Sequence, residues 1–246
     1  MSKRAIILAG GKGTRLRPYT VVLPKPLMPV GDYPILEVII KQLIHDGFGH
    51  ITMAVNHQAD IIKAFFGNGD KWGIKIDYSL EDKPLSTMGP LKLIPDLPDN
   101  FLIMNGDVLT DLSFGGLFDE HVKEGNVFTI SSFEREQVSE YGVLEVDDHR
   151  FLYGFKEKPK QKFQVSMGVY IANKKILDYI PSGEAYGFDH LMLDLIKAGN
   201  PARVKKHTSY WLDIGRPDDY MQAIEEFNEL KHKFLKSPEH ATNKHQ

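Results

Sequence analysis

The residues best suited to chemistry lie in a glycine-rich loop near the start of the chain. Residues 10–15 read Gly-Gly-Lys-Gly-Thr-Arg and follow the apolar run Ala5–Ala9. Closely spaced glycines let backbone N–H groups approach a ligand and cradle a phosphate. Lys12 and Arg15 add positive charge, and an arginine can hold phosphate oxygens through two hydrogen bonds. This order predicts a phosphate-binding loop at the end of a strand; a simple tight turn is the alternative.

A lysine enclosed by prolines supplies a second candidate charge. The segment Pro24–Val30 reads Pro-Lys-Pro-Leu-Met-Pro-Val, and its prolines favour a stiff, extended backbone. Lys25 on such a segment would be a fixed point charge for a phosphate that gains charge in a transition state. A solvated surface lysine is the alternative interpretation.

Two aspartates have the chemistry to hold a hard cation. Asp107 follows the strand-like run Phe101–Met104, which would end at the same sheet edge as the glycine loop. Mg²⁺ prefers such oxygen ligands. Asp213 lies in the run Trp-Leu-Asp-Ile-Gly at residues 211–215. A cap or turn role is the alternative for each aspartate, because only the fold can bring two distant acids together.

The elements that must position these residues form an α/β pattern. Strand-like runs alternate with helical patterns such as Ile35–Ile44, and the long crossovers favour a mainly parallel sheet with helices on both faces. Two short strands, Gly142–Val146 and Phe151–Lys156, predict a small antiparallel excursion. Because there is no repeat or linker, we expect one domain over residues 1–236 and a polar, frayed tail over residues 237–246.

Composition excludes several classes of site and partner. The chain has 246 residues, with 30 Lys and Arg against 33 Asp and Glu, and no cysteine. The absence of cysteine excludes disulfides, thiolate zinc sites, iron–sulfur clusters and a cysteine nucleophile. The net charge of −3 argues against a nucleic-acid partner. No apolar run approaches the roughly 20 residues of a membrane span, and none suits a signal peptide, so we expect a cytoplasmic protein without a membrane partner.

Later motifs combine with the glycine loop into one pattern. Residues Leu8–Pro18 and Lys25–Val30, in this order, resemble the signature of the sugar-1-phosphate nucleotidylyltransferases, or NDP-sugar pyrophosphorylases. The resemblance runs from about Lys3 to Phe227 and implies their single-domain, Rossmann-like α/β fold with a mixed, mainly parallel sheet. The later motifs that agree with it are Leu85–Leu91 (LSTMGPL), Asn105–Asp107 (NGD), Tyr141–Val143 (YGV), Glu157–Pro159 (EKP), Met167–Tyr170 (MGVY) and Trp211–Gly215 (WLDIG).

The resemblance implies transfer of a nucleotidyl group from an NTP to a sugar 1-phosphate, assisted by Mg²⁺. The catalytic residues that it implies are Arg15, Lys25 and Lys158. The implied ligands of Mg²⁺ are Asp107 and Asp213. The implied nucleotide contacts are Leu8, Ala9, Gly10, Gly11, Gly13, Thr14, Arg15, Glu81, Gly89 and Asp107. The implied sugar-phosphate contacts are Gly142, Glu157, Lys158 and Val169.

The loop at residues 85–89 departs from the family pattern. Members commonly carry Leu-Gly-Thr-Ala-Gly, whereas this chain has Leu-Ser-Thr-Met-Gly. Ser86 and Met88 are bulkier than Gly and Ala, so we expect a reshaped base pocket. The run Pro26–Glu37 is most similar to the mannose- and heptose-1-phosphate guanylyltransferases, which favours GTP with one of those sugar phosphates.

Three other functions fit parts of the pattern. A CTP-dependent nucleotidylyltransferase for a non-sugar phosphate would need the same glycine loop and Lys25. A non-catalytic, nucleotide-binding regulatory subunit would typically lose the charged positions that this chain keeps. A glycosyltransferase should show Asp-x-Asp, but Asn105 stands at the position of the first acid. A homo-oligomer is compatible with each of these functions.

Overall fold

A seven-stranded sheet forms the centre of the protein, for which a computed structural model describes residues 3–11, 13–56 and 58–235. Lys12 and the predicted tail over residues 237–246 lie outside the described residues. In chain order the strands are β1 (Lys3–Leu8), β2 (Pro29–Val30), β3 (Tyr33–Pro34), β4 (Phe48–Val55), β5 (Lys75–Leu80), β6 (Asn100–Asn105), β7 (Val108–Thr110), β8 (Phe128–Val138), β9 (Val143–Val146), β10 (Leu152–Lys156), β11 (Lys160–Asn173), β12 (Arg203–His207) and β13 (Trp211–Asp213).

The central sheet is mixed and mainly parallel, as predicted. Its strand order is β12-β8-β11-β6-β1-β4-β5. Strand β1 pairs in parallel with β4 and β6, β4 pairs in parallel with β5, and β8 pairs in parallel with β12. Strand β11 lies antiparallel between β6 and β8. Residues Ala5–Ile7 of β1 are fully buried because this strand is central and covered on both faces.

Helices cover both faces of the sheet, which also confirms the prediction. Side chains alternate along the central strands, so Ile7 and Met104 enter one core and Ile6 and Ile103 enter the other. Helix α4 packs on the second core and the other four helices pack on the first. Within the described chain, no helix is both long and apolar enough to cross a bilayer. The helices are α1 (Ile35–His45), α2 (Ala59–Phe66), α3 (Phe114–Glu124), α4 (Phe188–Lys197) and α5 (Pro217–Phe234).

The segment around Lys25 is a short 3-10 helix and not an extended piece. The helix spans Lys25–Leu27 and is closed by hydrogen bonds from Leu27 N–H to the Pro24 carbonyl (2.8 Å) and from Met28 N–H to the Lys25 carbonyl (3.0 Å). The fixed φ of proline also suits the first turn of a helix, where its missing N–H has no partner. The extended prediction was wrong because prolines are compatible with both conformations.

Strands β8 and β11 continue beyond the central sheet as a two-stranded arm. Their antiparallel pairing extends to Val138 opposite Lys160. Strands β9 and β10 form a second antiparallel pair between the ends of β8 and β11, as the sequence predicts. We call residues 133–138 and 160–165 the arm, and residues 141–156 the tip hairpin.

A buried histidine ties α3 to the sheet. His121 is only 1% exposed, and its Nδ1 lies 2.8 Å from Thr129 Oγ1 while its Nε2 lies 3.2 Å from Asn100 Oδ1. A neutral imidazole satisfies both contacts, because Nε2–H donates to Asn100 and Nδ1 accepts from the Thr129 hydroxyl. Burial lowers the pKa of His121 to about 4, although the charge of Glu124 opposes the shift.

We therefore expect the free energy of unfolding to fall as the pH drops below about 6.5. The unfolded chain binds a proton at His121 near that pH, whereas the folded chain binds it only near pH 4. Protonation of His121 should lower the free energy of unfolding by on the order of 3 kcal/mol once the pH is below both pKa values. Urea unfolding at several pH values between about 7.5 and 4.5 measures how the free energy of unfolding depends on pH. His121→Gln should reduce this pH dependence, while His149→Gln, at an exposed position of the tip hairpin, should leave it unchanged.

Candidate active site

A cavity of about 350 Å³ opens at the carboxyl ends of β1, β4, β5 and β6. Loops leave the strands at this edge, which is where open α/β sheets bind ligands. The predicted glycine loop, Lys25 and both candidate metal ligands share this cavity. Its lining residues are Leu8, Ala9, Gly10, Gly11, Arg15, Lys25, Pro26, Asn56, Glu81, Pro84, Ser86, Thr87, Pro90, Asn105, Gly106, Asp107 and Asp213.

Gly13 shapes the glycine loop. Its φ of 61° lies in the left-handed region that favours glycine, and a Cβ there would lie 2.9 Å from Thr20 Cγ2. The Thr20 hydroxyl donates to the Gly13 carbonyl (2.7 Å), and Ala9 N–H donates to the Ala54 carbonyl (2.8 Å). At Gly11 a Cβ would have no heavy atom within 4 Å. A ligand can therefore lie directly against the loop backbone.

Lys25 holds a buried positive charge at the centre of the cavity. Its Nζ contacts the Asp107 carboxylate in an ion pair whose side chains are only 13% and 14% exposed. Burial lowers the pKa of Lys25 to about 8; the charge of Asp213 opposes this shift and that of Arg15 adds to it. The ammonium is thus poorly hydrated, and an ion in such a place interacts strongly with neighbouring charges.

Two short strands bring Asp107 and Asp213 together. Strands β7 and β13 pair in antiparallel fashion, with Asp213 opposite Val108. Ile214 N–H donates to the Asp107 carbonyl (2.9 Å). The Asp213 N–H in turn donates to Asp219 Oδ2 (2.9 Å) in the first turn of α5. These backbone contacts hold the loops of both candidate ligands on one side of Lys25.

The two carboxylates fit a divalent cation that also binds substrate phosphates. Magnesium is usually held by one or two carboxylates, with phosphate and water oxygens completing the shell. Asp107 and Asp213 match that donor set, and the adjacent Lys25 ammonium shows that the place accommodates positive charge. Among the described residues, no group of three or more His, Asp or Glu side chains is arranged to hold a metal by itself.

Gly215 leaves the space that the Lys25 side chain occupies. A Cβ on Gly215 would overlap the Lys25 ammonium and lie 2.8 Å from its Cε. The N–H of Gly215 also donates to Asp213 Oδ1 (3.0 Å). Nothing in the sequence assigns Gly215 a role beyond its place at the end of the WLDIG motif.

Glu81 and Asn56 lie side by side next to the glycine loop. Glu81 Oε1 and Asn56 Nδ2 are each 3.1 Å from the Cβ position of Gly10. The other Glu81 oxygen accepts a hydrogen bond from Leu85 N–H (3.1 Å). Burial raises the pKa of Glu81, and the Leu85 hydrogen bond opposes the shift. Asn56 has no motif around it; its one sequence signal is that it directly follows a predicted strand.

Residues 86–89 differ in whether their side chains face the cavity. Ser86 lines the cavity with a φ of 65°, a conformation that favours the glycine commonly found there in the family. Met88 is fully buried in the second core, and its N–H donates to the Tyr186 carbonyl (2.9 Å). The expectation that Met88 reshapes the base pocket is therefore wrong, because its side chain points into the core. Gly89 does not line the cavity and packs against Leu85.

The expected sugar-phosphate contacts lie outside the 350 Å³ cavity. Gly142, Glu157 and Lys158 are exposed where the arm meets the tip hairpin. A Cβ on Gly142 would lie 3.2 Å from Glu157 Oε2, so these two residues are neighbours. Val169 is fully buried on β11 opposite Met104. Of the residues expected on the nucleotide side, the cavity is lined by Leu8, Ala9, Gly10, Gly11, Arg15, Glu81 and Asp107 but not by Gly13, Thr14 or Gly89, and none of these four sugar-phosphate candidates reaches its wall.

A groove of about 630 Å³ follows the arm and shares Asp213 with the first cavity. Arg135 and Arg216 line it, and no sequence motif marks either residue. Both terminal N–H groups of Arg135 donate hydrogen bonds to the Asp219 carboxylate. The guanidinium carbon of Arg135 lies 4.8 Å from the ring centre of Trp211. Arg216 makes no ion pair with the described residues. The groove therefore offers positive charge beside a candidate metal ligand.

Comparison with known proteins agrees with this geometry. Residues 4–229 match the family described as Nucleotidyl transferase. The chain belongs to the nucleotidyl transferase family. A UTP–glucose-1-phosphate uridylyltransferase from Synechocystis is 36% identical over 90% of this chain and 62% of its own length. A mannose-1-phosphate guanyltransferase from Saccharomyces cerevisiae is 32% identical over 89% of this chain and 63% of its own length. The chain thus spans less than two thirds of these relatives.

This chain shares its fold with solved structures, and one of these matches along its whole length. HddC from Yersinia pseudotuberculosis superposes with a TM-score of 0.70 at 28% identity, covering 92% of this chain and 100% of that one. A second HddC structure, complexed with GMP-PN, has a TM-score of 0.69. The family resemblance in the motifs and the predicted Rossmann-like fold of nucleotidyltransferase type are therefore confirmed.

In this nucleotidyl transferase family member, we expect Gly215→Ala to fold normally but to lose catalytic rate. The new Cβ meets the flexible end of Lys25, which can move aside at little cost to stability. The displaced ammonium no longer lies against Asp107, so kcat should fall by about 10–100-fold. Thermal unfolding and nucleotidyl-transfer kinetics measure the two effects.

A double-mutant cycle separates this role from a general packing defect. If Gly215 acts through Lys25, Gly215→Ala should cause less than about a 3-fold further loss in a Lys25→Ala background. An equal loss in both backgrounds would contradict it. Gly116→Ala is the matched control, since Gly116 lies on α3 and its Cβ would approach only Ser113.

Proposed function

We propose that this chain transfers a nucleotidyl group from an NTP to a sugar 1-phosphate, giving an NDP-sugar and pyrophosphate. The observation that carries the proposal is the buried Lys25 ammonium beside Asp107 and Asp213, next to an open glycine loop. Such a site suits phosphates, whose negative charge is neutralised by an ammonium and by a carboxylate-bound cation. The names of the Synechocystis and yeast relatives, both sugar-1-phosphate nucleotidyltransferases, support it.

The proposed reaction is a single displacement. An oxygen of the sugar phosphate forms a bond to the α-phosphorus, and the bond from that phosphorus to the pyrophosphate oxygen breaks. No protein nucleophile takes part, so positioning and charge neutralisation supply the rate. The N–H groups of residues 10–14 and the Arg15 side chain would hold the β- and γ-phosphates. Lys25 would stabilise the α-phosphoryl group as its charge changes.

Asp107 and Asp213 would hold Mg²⁺, which when bound screens the phosphate charges and polarises a phosphoryl oxygen. Lys158 would neutralise the incoming sugar phosphate, and Glu157 would accept hydrogen bonds from sugar hydroxyls. Gly142 and Val169 would border the sugar. Arg216, in the groove that shares Asp213, adds positive charge on the arm side of the site.

We propose GTP as the nucleotide and a mannose- or heptose-type 1-phosphate as the acceptor. The Glu81 carboxylate only accepts hydrogen bonds, and the guanine edge offers two adjacent donors, N1–H and the N2 amino group. Uracil and thymine instead place one N–H between two carbonyl oxygens, which a carboxylate repels. The HddC complex with GMP-PN and the yeast guanyltransferase support GTP. The 36% identity to a uridylyltransferase makes UTP the second candidate.

We propose residues 1–236 as the catalytic domain, acting in the cytoplasm where nucleoside triphosphates are abundant. Its partners in this proposal are the NTP and the sugar 1-phosphate, with neither nucleic acid nor membrane involved. Retention of Arg15, Lys25, Asp107 and Asp213 around one cavity favours an enzyme over a regulatory subunit.

Removal of the central charges should abolish most of the activity without unfolding the protein. We expect Lys25→Ala and Asp107→Asn each to lower kcat by about 100–1,000-fold, because each removes a charge that stabilises the reacting phosphates. Pyrophosphate release measures the rate, and circular dichroism checks the fold. Lys123→Ala and Asp60→Asn, at exposed helical positions, are the charge-matched controls. Wild-type rates in both site variants would refute the assigned roles.

Base selectivity tests the assignment of Glu81. With a panel of NTPs, kcat/KM for GTP should exceed that for UTP by at least about 100-fold. Glu81→Gln should narrow this ratio, because an amide can both donate to and accept from uracil. Asp82→Asn, at the exposed neighbouring position, should leave the ratio unchanged. A wild-type preference for UTP would contradict the proposed recognition of guanine but would still support nucleotidyl transfer.

A further inference from the structure

Asp219 is a buried acid that bonds outside its own helix. It lies in the first turn of α5 and is 4% exposed, and no other Asp or Glu among the described residues is buried to this extent. An acidic residue in this turn usually stays at the surface and complements the helix dipole, as the exposed Asp218 does. Asp219 instead points inward and accepts a hydrogen bond from the Asp213 N–H (2.9 Å). Its carboxylate therefore serves the loop that precedes the helix.

Arg135 reaches the same carboxylate from the arm. Its two terminal N–H groups donate to the two oxygens of Asp219, and one of these oxygens also accepts from Asp213. Three hydrogen bonds thus satisfy the buried anion. The Arg135 guanidinium also lies over the ring of Trp211, whose indole N–H donates to the Met167 carbonyl (3.0 Å). The guanidinium is therefore oriented on one side by a carboxylate and on the other by a fixed aromatic ring.

Fold stability alone does not explain this pair. A buried ion pair contributes little to stability, because the removal of two charges from water costs about as much as their attraction returns. Apolar side chains of similar size often serve the fold equally well. An apolar pair would, however, leave the Asp213 N–H without an acceptor. What the charges of Arg135 and Asp219 specifically provide is a fixed place for the backbone of Asp213.

The place of Asp213 matters because this residue is a candidate ligand of the cation. Its carbonyl accepts from the Arg216 N–H (2.9 Å), and its Oδ1 accepts from the Gly215 N–H (3.0 Å), so the loop is also fixed on its far side. Magnesium demands a nearly ideal octahedral arrangement of its ligands, and a displaced carboxylate binds it poorly. Groups that orient a metal ligand therefore change metal affinity without contact to the metal.

We propose that Arg135 and Asp219 are positioning residues for the divalent cation, a step that rests on the proposed function. The pair holds the backbone of Asp213 so that its carboxylate stays in the cavity beside Lys25 and Asp107. Arg135 belongs to the arm and Asp219 to α5, so the pair also joins the arm to the candidate metal ligand. Both residues act through Asp213 and not on the reacting phosphates.

A double replacement separates positioning from stability. Arg135→Met with Asp219→Leu places apolar side chains of similar size at both positions, so we expect the fold to stay stable while the Asp213 N–H loses its acceptor. Thermal unfolding measures the stability. Glu134→Leu with Lys162→Met is the matched control, because this pair also crosses the arm but lies at its exposed surface (2.8 Å between the charged atoms).

Binding of Mn²⁺ reports on the candidate ligand without any turnover. Mn²⁺ prefers the same oxygen ligands as Mg²⁺, and electron paramagnetic resonance measures the free ion while the full chain is titrated. We expect wild-type protein to bind one Mn²⁺ and Asp213→Asn to weaken that binding. Arg135→Met/Asp219→Leu should raise the Mn²⁺ dissociation constant about 10–100-fold, as changes to groups that orient metal ligands commonly do. Glu134→Leu/Lys162→Met should change it less than about 2-fold, since exposed pairs contribute little.

Each result supports the proposal or overturns it. Wild-type affinity for Mn²⁺ in the folded double variant would overturn it, as would a wild-type protein that binds no Mn²⁺ or an equal loss in the control pair. If the double variant fails to fold, Arg135→Lys decides instead. Arg135 is partly exposed, and lysine keeps the charge but cannot donate two parallel hydrogen bonds to Asp219. Its Mn²⁺ dissociation constant should rise at least about 5-fold, and an unchanged value would overturn the proposal.

The dependence of the rate on Mg²⁺ gives a second readout that a merely structural role would not move. In Arg135→Met/Asp219→Leu, the Mg²⁺ concentration at half-maximal rate should rise about 10-fold, and saturating Mg²⁺ should restore kcat to within about 3-fold of wild type. A loss of kcat that Mg²⁺ does not recover would overturn the positioning role. If no pair of NTP and sugar 1-phosphate is turned over, the proposed function fails, whereas the Mn²⁺ titration still decides whether the pair positions Asp213.

Discussion

The rest of the site depends on one ammonium held out of water between loops that start far apart in the chain. Lys25 contacts Asp107 and lies in the field of Asp213, and all three groups line one cavity. Charges removed from water destabilise a fold unless their partners are fixed in place. The backbone contacts at Asp107 and Asp213 supply that rigidity, as does the 3-10 helix that presents Lys25. The cavity is therefore organised before any ligand arrives.

The sheet explains why these loops meet. Central strands β1 and β6 are neighbours, so the glycine loop and Asp107 leave the same edge a strand's width apart. The antiparallel strand β11 passes next to β6 and extends into the arm, so Gly142, Glu157 and Lys158 at the end of the arm lie away from that edge, whereas Val169 stays in the central sheet. The residues proposed for the nucleotide and those proposed for the acceptor thus lie in different parts of the structure, and Asp213 borders both the cavity and the arm groove.

Much of this arrangement could be predicted from the sequence, but the contacts that assemble it could not. Apolar runs such as Ala5–Ala9 identify buried strands because burial on both faces requires them. The glycine loop and Lys25 carry local chemical signals. The meeting of Asp107 and Asp213 depends instead on β7 and β13, two three-residue strands with no periodic pattern of their own.

The residues missed by sequence reasoning share one property. Asn56, Gly215 and Arg216 matter through what the fold places beside them; the strand before Asn56 and the WLDIG motif that ends at Gly215 do not show which groups these residues meet. Met88 shows the converse, since its motif points to the ligand pocket while the fold turns its side chain into the core. Motifs report which segments approach a ligand, but packing decides which side chains face it.

Strand β11 lies between β8 and β6 in the sheet, although it is synthesised after both of them. During synthesis, β6 can pair with β1 as soon as both have left the ribosome, yet its other edge stays open until residues 160–173 emerge. The open edge belongs to an apolar strand, Phe101–Met104, which is the kind of edge that recruits other chains. The nascent protein is therefore most exposed to aggregation between the synthesis of β6 and that of β11, and the antiparallel insertion that builds the arm also ends that period.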